Sequence, residues 1–195
     1  MGAILQTLKE QGLAENTLVV FTSDNGPWLQ FKTQGGIAGP LRGGKFDTHE
    51  GGMRGPGIFW WPGKIQPAII HGIGSTLDLM ATFASLAGVE VPKTAEDSYD
   101  LTATLMNGAD SAREELFYYK NARVEALRLG SYKAFFTLEG DPAQTEIQAL
   151  YNLDHDPGEN CDLRESKPER LHDFIARYHA HRATVKPVED QLIKR

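Results

Sequence analysis

Asp24 and Asn25 stand where an unbroken apolar run, Val19-Val20-Phe21-Thr22-Ser23, stops and gives way to Gly26-Pro27-Trp28. A carboxylate and an amide oxygen side by side are hard-cation ligands, and the carboxyl end of a strand in an α/β sheet is where metal and ligand sites form. A strand closed by a turn explains the same residues, and two oxygens fall short of the roughly six to eight that Ca²⁺ takes. Further along, Lys45 follows Arg42-Gly43-Gly44. An ammonium in such a loop can neutralise an oxyanion or the charge developing on a leaving group; the alternative is a solvated loop lysine. His49 comes next, readable as substrate-facing or as a loop-stabilising histidine. Glu50 and Arg54 read as residues that pin the loop through a salt bridge or backbone hydrogen bonds. Trp28, beside the acid-amide pair, is a candidate to stack on a sugar or aryl ring, whereas Trp60 and Trp61 read as core beside a strand. His71 reads as a capping or surface residue and Asp78 as a structural hydrogen-bonding carboxylate. His172, His179 and His181 read as a solvated helix face.

These residues need elements to position them. MGAILQTLKEQGL carries Ile4, Leu5 and Leu8 at helical spacing with Gly12 as a stop, the end of an amphipathic helix. TLVVFTS then reads as a strand buried on both faces, of the kind found in a parallel sheet between helix layers. Glycines at 26, 35, 36, 39, 43, 44, 51, 52, 55 and 57 are dense enough to forbid regular structure and predict a long loop that lets backbone approach a ligand. GIFWW, closed by Pro62-Gly63, is a second buried strand. STLDLMATFASL predicts a packed helix from Ser75 to Leu86, with Ser75 as N-cap, Leu77, Met80, Phe83 and Ala84 on one face, and Gly88 beyond its end. From about Glu115 the texture changes to ELFYYK, VEALRLG, YKAFFTLE and QALYNLD, a small antiparallel sheet. Pro168 to Lys186, with Leu171, Phe174, Ile175 and Tyr178 on one stripe, predicts a helix covering one face of that sheet.

The totals bound the function. A chain of 195 residues with 41% hydrophobic and 24% charged content is an ordinary globular sequence long enough to bury a core. A net charge of -6 argues against nucleic acid as a partner. The single cysteine, Cys161, excludes an internal disulfide. No stretch is apolar for long enough to span a bilayer, and the first residues lack the pattern of a signal peptide.

FTSDNGPW, GPLRGGKFDTHEGGMRGPGIFWWPGKI, STLDLMATFASLAGVEVP and LYNLDHDPGENCDL, in that order, closely resemble the C-terminal part of the type I sulfatases. These are the arylsulfatase-like members of the alkaline phosphatase superfamily. The resemblance covers nearly the whole chain. It implies an α/β fold: the C-terminal part of an alkaline-phosphatase-like sandwich over residues 1–110, then a small antiparallel sheet packed by a C-terminal helix over residues 111–195. It implies hydrolysis of an aryl or glycan sulfate ester at a site holding Ca²⁺ or another divalent cation, with a formylglycine nucleophile made from Cys or Ser. Asp24 and Asn25 match the family's metal ligands and Lys45 its sulfate-contacting, catalytic lysine. His49 occupies a place where relatives often carry an aromatic residue and, with Trp28, is assigned to substrate binding.

Cys161 sits in Cys161-Asp162-Leu163-Arg164, without the proline of the Cys-x-Pro-x-Arg maturation signal, so it is no formylglycine precursor. The family's nucleophile and first carboxylate pair belong to an N-terminal half not found in these residues. The expectation is therefore a truncated sulfatase without turnover of its own, or one completed by a second polypeptide or by homo-oligomerisation, with an open sheet edge and an uncovered helix face. Two other functions remain alongside it: a phosphodiesterase or phosphonate hydrolase of the same superfamily, and a non-catalytic module binding sulfated glycans. Family members are commonly exported or lysosomal.

Overall fold

The computed structural model describes residues 1–186; residues 187–195 of the expected C-terminal subdomain lie outside that range. The chain divides into two compact units, one of Met1–Gly26 with Arg54–Glu114, the other of Pro27–Met53 with Glu115–Arg195.

In the first unit, helix α1 (Gly2–Glu10) ends at Gly12, whose φ of +68° is one that only glycine adopts readily. A short 3-10 turn leads into strand β1 (Val19–Thr22), which pairs with β2 (Gly57–Trp60). The pairing is antiparallel, with Val19 opposite Trp60 and Thr22 opposite Gly57, which corrects the parallel arrangement expected from the apolar run. Apolar continuity reports burial and not direction, and no crossover helix spans the intervening segment to make the strands parallel. Nor are these strands buried on both faces: Phe21 is 44% and Ile58 55% exposed. No residue of α1 is buried.

Helix α3 (Leu79–Ala87) follows a 3-10 turn at Thr76–Asp78 and ends at left-handed Gly88. Ser75 caps as expected, its hydroxyl accepting from the Leu77 N–H, while the Asp78 carboxylate accepts from the Ser75 N–H. The buried face shares only Ala84 with the one expected. Ala81, Thr82 and Ala84 are buried, whereas Leu77, Met80 and Phe83 are exposed. What turns the helix is polar: buried Asp78 takes a bidentate pair from Arg113 (2.6 and 2.9 Å) and a hydrogen bond from the Tyr99 N–H. The Thr82 hydroxyl accepts from the Leu101 N–H at the start of α4 (Thr102–Asn107). Burying a carboxylate requires such partners, and supplying them fixes which face points inward.

In the second unit, β3 (Glu115–Lys120), β4 (Arg123–Leu129), β5 (Tyr132–Phe136) and β6 (Ile147–Asn152) form a four-stranded antiparallel meander in sequence order, at the four segments whose alternation predicted it. Helix α5 (Pro168–Thr184) starts at a proline and lays Phe174 and Tyr178 on one face of the sheet, among Val124, Leu127, Ala134, Phe136 and Leu150. The period-two alternation sends Lys133 and Phe135 to the opposite face, where Phe135 packs with Tyr118, Ala126, Tyr151 and Leu153. The histidines of α5 differ among themselves. His172 is exposed, but His181 stacks on Phe117 at 3.7 Å and hydrogen-bonds the Tyr119 hydroxyl at 2.6 Å, so it is not on the solvated face expected of it.

Candidate functional site

Each candidate residue is set by its own backbone environment. In the first unit, Asp24 and Asn25 leave the end of β1. The Ser23 hydroxyl donates to the Asn25 carbonyl at 2.8 Å, which turns the chain and leaves the two side chains without a hydrogen-bond partner among the described residues. Asp24 is exposed and Asn25 half-buried. A carboxylate and an amide free of protein partners fit as two of the oxygen ligands of a hard divalent cation.

In the second unit, the glycine-rich segment is more structured than its composition predicts. It contains 3-10 turns over Leu29–Gln34 and one helical turn, α2 (Glu50–Met53). Glycine is used here for contact. A Cβ on Gly51 would lie 2.4 Å from the Arg42 and Gly43 carbonyl oxygens, and one on Gly52 would lie 2.0 Å from the Asp47 carbonyl oxygen. These obstacles are backbone, so they cannot swing aside. Gly52→Ala is expected to destabilise the fold by about 1–3 kcal/mol, as overpacking typically does. An unchanged thermal midpoint would show that the segment has other room.

Lys45 is half-buried, with its N–H donating to the Pro27 carbonyl at 2.8 Å. Its ammonium lies 5.1 Å from the Trp28 ring centre and 5.5 Å from that of Phe46, and no carboxylate pairs with it among the described residues. Trp28 is 38% exposed and meets Phe31 and Phe46 edge-on. The structure thus brings Trp28 and Lys45 together and adds Phe46, which the sequence reading passed over.

His49 is placed differently. Its ring stacks on Phe135 at 4.5 Å, its Nδ1 lies 2.5 Å from an Asp47 carboxylate oxygen, and its backbone N–H donates to the same carboxylate. Burial pushes the Asp47 carboxyl up, but the backbone and ring hydrogen bonds from His49 and the positive charges of His49 and Lys120 outweigh it, leaving the group below the usual carboxylate range. An Asp two residues before the amide it accepts is an Asx-turn, a signal legible in Asp47-Thr48-His49.

Beneath this loop lies a buried ionic cluster. The Lys133 ammonium, fully buried, donates to the Thr48 carbonyl at 2.7 Å and contacts Glu50 and Glu159 carboxylate oxygens at 3.0 Å each. Glu159 in turn accepts the Glu50 N–H at 2.7 Å, and Arg42 donates to the Glu159 carbonyl at 3.1 Å. The Tyr118 hydroxyl reaches Glu50 at 3.5 Å; burial, and then the Glu50 charge, push its ionisation upward, so it stays neutral. Glu50 therefore pins the loop. Lys133 and Glu159, its partners, carry no local sequence signal for this role.

Elsewhere among the candidates, Trp61 is half-buried and its indole donates to the Glu15 carbonyl at 2.7 Å. His71 and Cys161 are exposed. No helix among the described residues is long and apolar enough to cross a membrane.

Comparison with known proteins matches two family models to successive stretches of the chain. The family model described as Sulfatase matches residues 1–89, and that described as the C-terminal region of aryl-sulfatase matches residues 111–195. Human arylsulfatase A is 40% identical over 184 residues, an alignment spanning 84% of this chain and 36% of that protein. N-acetylgalactosamine-6-sulfatase of Canis lupus familiaris is 35% identical over 98% of this chain and 42% of its own length. Among solved structures, the PsFucS1 sulfatase from Pseudoalteromonas sp. superposes with a TM-score of 0.81 at 32% identity, over 94% of this chain and 40% of that one. The chain thus spans about two fifths of the length of the relatives it matches. The fold is that of the alkaline-phosphatase-like α/β proteins, and the chain belongs to the sulfatase family, corresponding to the C-terminal portion of its type I, arylsulfatase-like members.

Proposed function

We propose that this chain is the C-terminal portion of a sulfuric ester hydrolase, in which Asp24 and Asn25 hold a divalent cation, Ca²⁺ by their chemistry, and Lys45 contacts the sulfate. The observation that carries the reading is the state of Lys45: a half-buried lysine on a glycine-built turn, its ammonium without a carboxylate partner among the described residues. A cation kept clear of internal counter-ions is available to an anionic substrate. Asp24 and Asn25, with unpartnered oxygens, support the metal assignment in the same way.

In the complete enzyme a formylglycine, which this reading assigns to an N-terminal half, supplies the nucleophile, and the cation supplies charge stabilisation. What these residues do is narrower. Lys45 binds a sulfate oxygen and offsets charge as the S–O bond breaks. Trp28 lines one side of Lys45, and His49, held by Asp47 and Phe135, supports the loop or faces the substrate. By itself the chain is proposed to lack turnover, its complement being an N-terminal half or a further copy. Its substrates are sulfate esters of aryl alcohols or glycans.

The unpartnered Asp24-Asn25 pair tests the metal assignment. In the complete gene product, chelation of divalent cations is expected to abolish hydrolysis of 4-nitrophenyl sulfate, with Ca²⁺ restoring it in the parent but not in Asp24→Ala. Full activity after chelation would overturn the metal role. The non-catalytic glycan-binding reading would instead predict sulfate binding without turnover in that same protein.

A further inference from the structure

Phe46 is in a conformation that its side chain disfavours. The Asp47 N–H donates to the Gly44 carbonyl at 2.9 Å, closing a four-residue turn in which Lys45 and Phe46 are the central pair. At the second central position φ is +76°. A positive φ at that position is the signature of a type II turn, where glycine is the ordinary occupant and a bulky aromatic is an outlier. Among the described residues three other non-glycines share positive φ, but they are Lys32, Asn121 and Glu159, flexible or polar side chains. The strained residue is also the most exposed aromatic among the described residues, 72% accessible, so packing does not hold it there. Its ring stands perpendicular to Trp28 at 5.8 Å, and the Lys45 ammonium lies within 5.5 Å of both ring centres.

Local strain kept at an exposed residue, without a burial gain, marks a site where the side chain is used on something else. We propose that Phe46 is a specificity-determining residue, forming with Trp28 an aromatic corner that receives the ring of an aryl sulfate ester while Lys45 takes the sulfate. The proposal rests on the sulfatase reading above. The two rings, perpendicular to one another, offer a planar ligand a stacked face and an edge contact at once. A lysine flanked by rings is partly stripped of water, which favours a weakly hydrated ester monoanion carrying an apolar group over free sulfate.

Replacing Phe46 by glycine is a clean test because it relieves the backbone while removing the ring. In the complete gene product, Phe46→Gly is expected to raise the KM for 4-nitrophenyl sulfate about three- to ten-fold, the range of one aromatic contact, with kcat nearly unchanged. The inhibition constant of inorganic sulfate, which has no ring, stays as it was, and the thermal midpoint does not fall. Lys45→Ala, by contrast, weakens inorganic sulfate as well. An unchanged KM in Phe46→Gly, or an equal loss for ester and inorganic sulfate, would overturn the ring-recognition role while leaving the sulfatase reading in place. If the parent protein neither hydrolyses the ester nor binds sulfate, both fail together.

Discussion

Lys133→Met is expected to destabilise the protein by about 3–5 kcal/mol, the cost of leaving buried charges without their partner. The Lys133 side chain is fully buried, as are the Glu50 and Glu159 side chains it contacts, at 1% and 0% exposure. Methionine fills much of the volume but offers no charge, so Glu159 would lose the ammonium it contacts, while Glu50 would keep Arg128 at 3.8 Å. The Thr48 carbonyl would also lose its donor. Because the three side chains act as a unit, adding Glu50→Gln to Lys133→Met should cost less than the sum of the two single changes. Urea unfolding measures both. A loss under about 1 kcal/mol is the value for a solvated pair and would contradict the buried cluster. The cluster also anchors the loop that carries Lys45. It fixes Thr48 and Glu50, which follow Lys45 by three and five positions on the same loop, to strand β5 and to the turn that holds Glu159.

Lys45→Ala should act in the opposite way, with a large effect on activity and a small one on stability. Its ammonium makes no ion pair among the described residues, and its loop is anchored by backbone bonds from Lys45 to Pro27 and from Asp47 to Gly44 that alanine preserves. Stability should therefore change by no more than about 1 kcal/mol, the range of the contacts with the Trp28 and Phe46 rings that alanine gives up. Loss of a charge aimed at a developing oxyanion typically costs about 10² to 10³ in rate, so kcat for a sulfate ester should fall by that factor with the unfolding midpoint preserved. Equal losses in rate and stability would instead make Lys45 a structural residue.

How far the sequence predicts this molecule depends on how local each signal is. The four strands of the second unit and the stripe of α5 were legible because their alternation and spacing are properties of neighbouring residues, and Phe174 and Tyr178 are buried where the stripe puts them. The β1–β2 pairing was not, since apolar runs in parallel and antiparallel strands look alike. The α3 face was misread because Leu77, Met80 and Phe83 outrank alanine in hydrophobicity. Arg113, 35 residues from Asp78 in sequence, decides the orientation. Lys133 and Glu159 were invisible for the same reason: Lys133 meets Glu50 from 83 positions away, and nothing around either residue announces it. Phe46 is the instructive case. Its neighbours Gly44, Lys45 and Asp47 were all in view, yet only the backbone shows that a turn suited to glycine has been given an aromatic ring.

The measurement that tests the central claim most directly is the hydrolysis of 4-nitrophenyl sulfate and of a galactosamine 6-sulfate by the complete gene product with Ca²⁺, in the parent protein and in Lys45→Ala. The sulfatase account predicts release of sulfate from at least one of these esters by the parent, and a loss of about 10² or more in the folded variant. Turnover in the parent that Lys45→Ala leaves intact, or a folded, Ca²⁺-loaded parent that releases no sulfate from either, would contradict it.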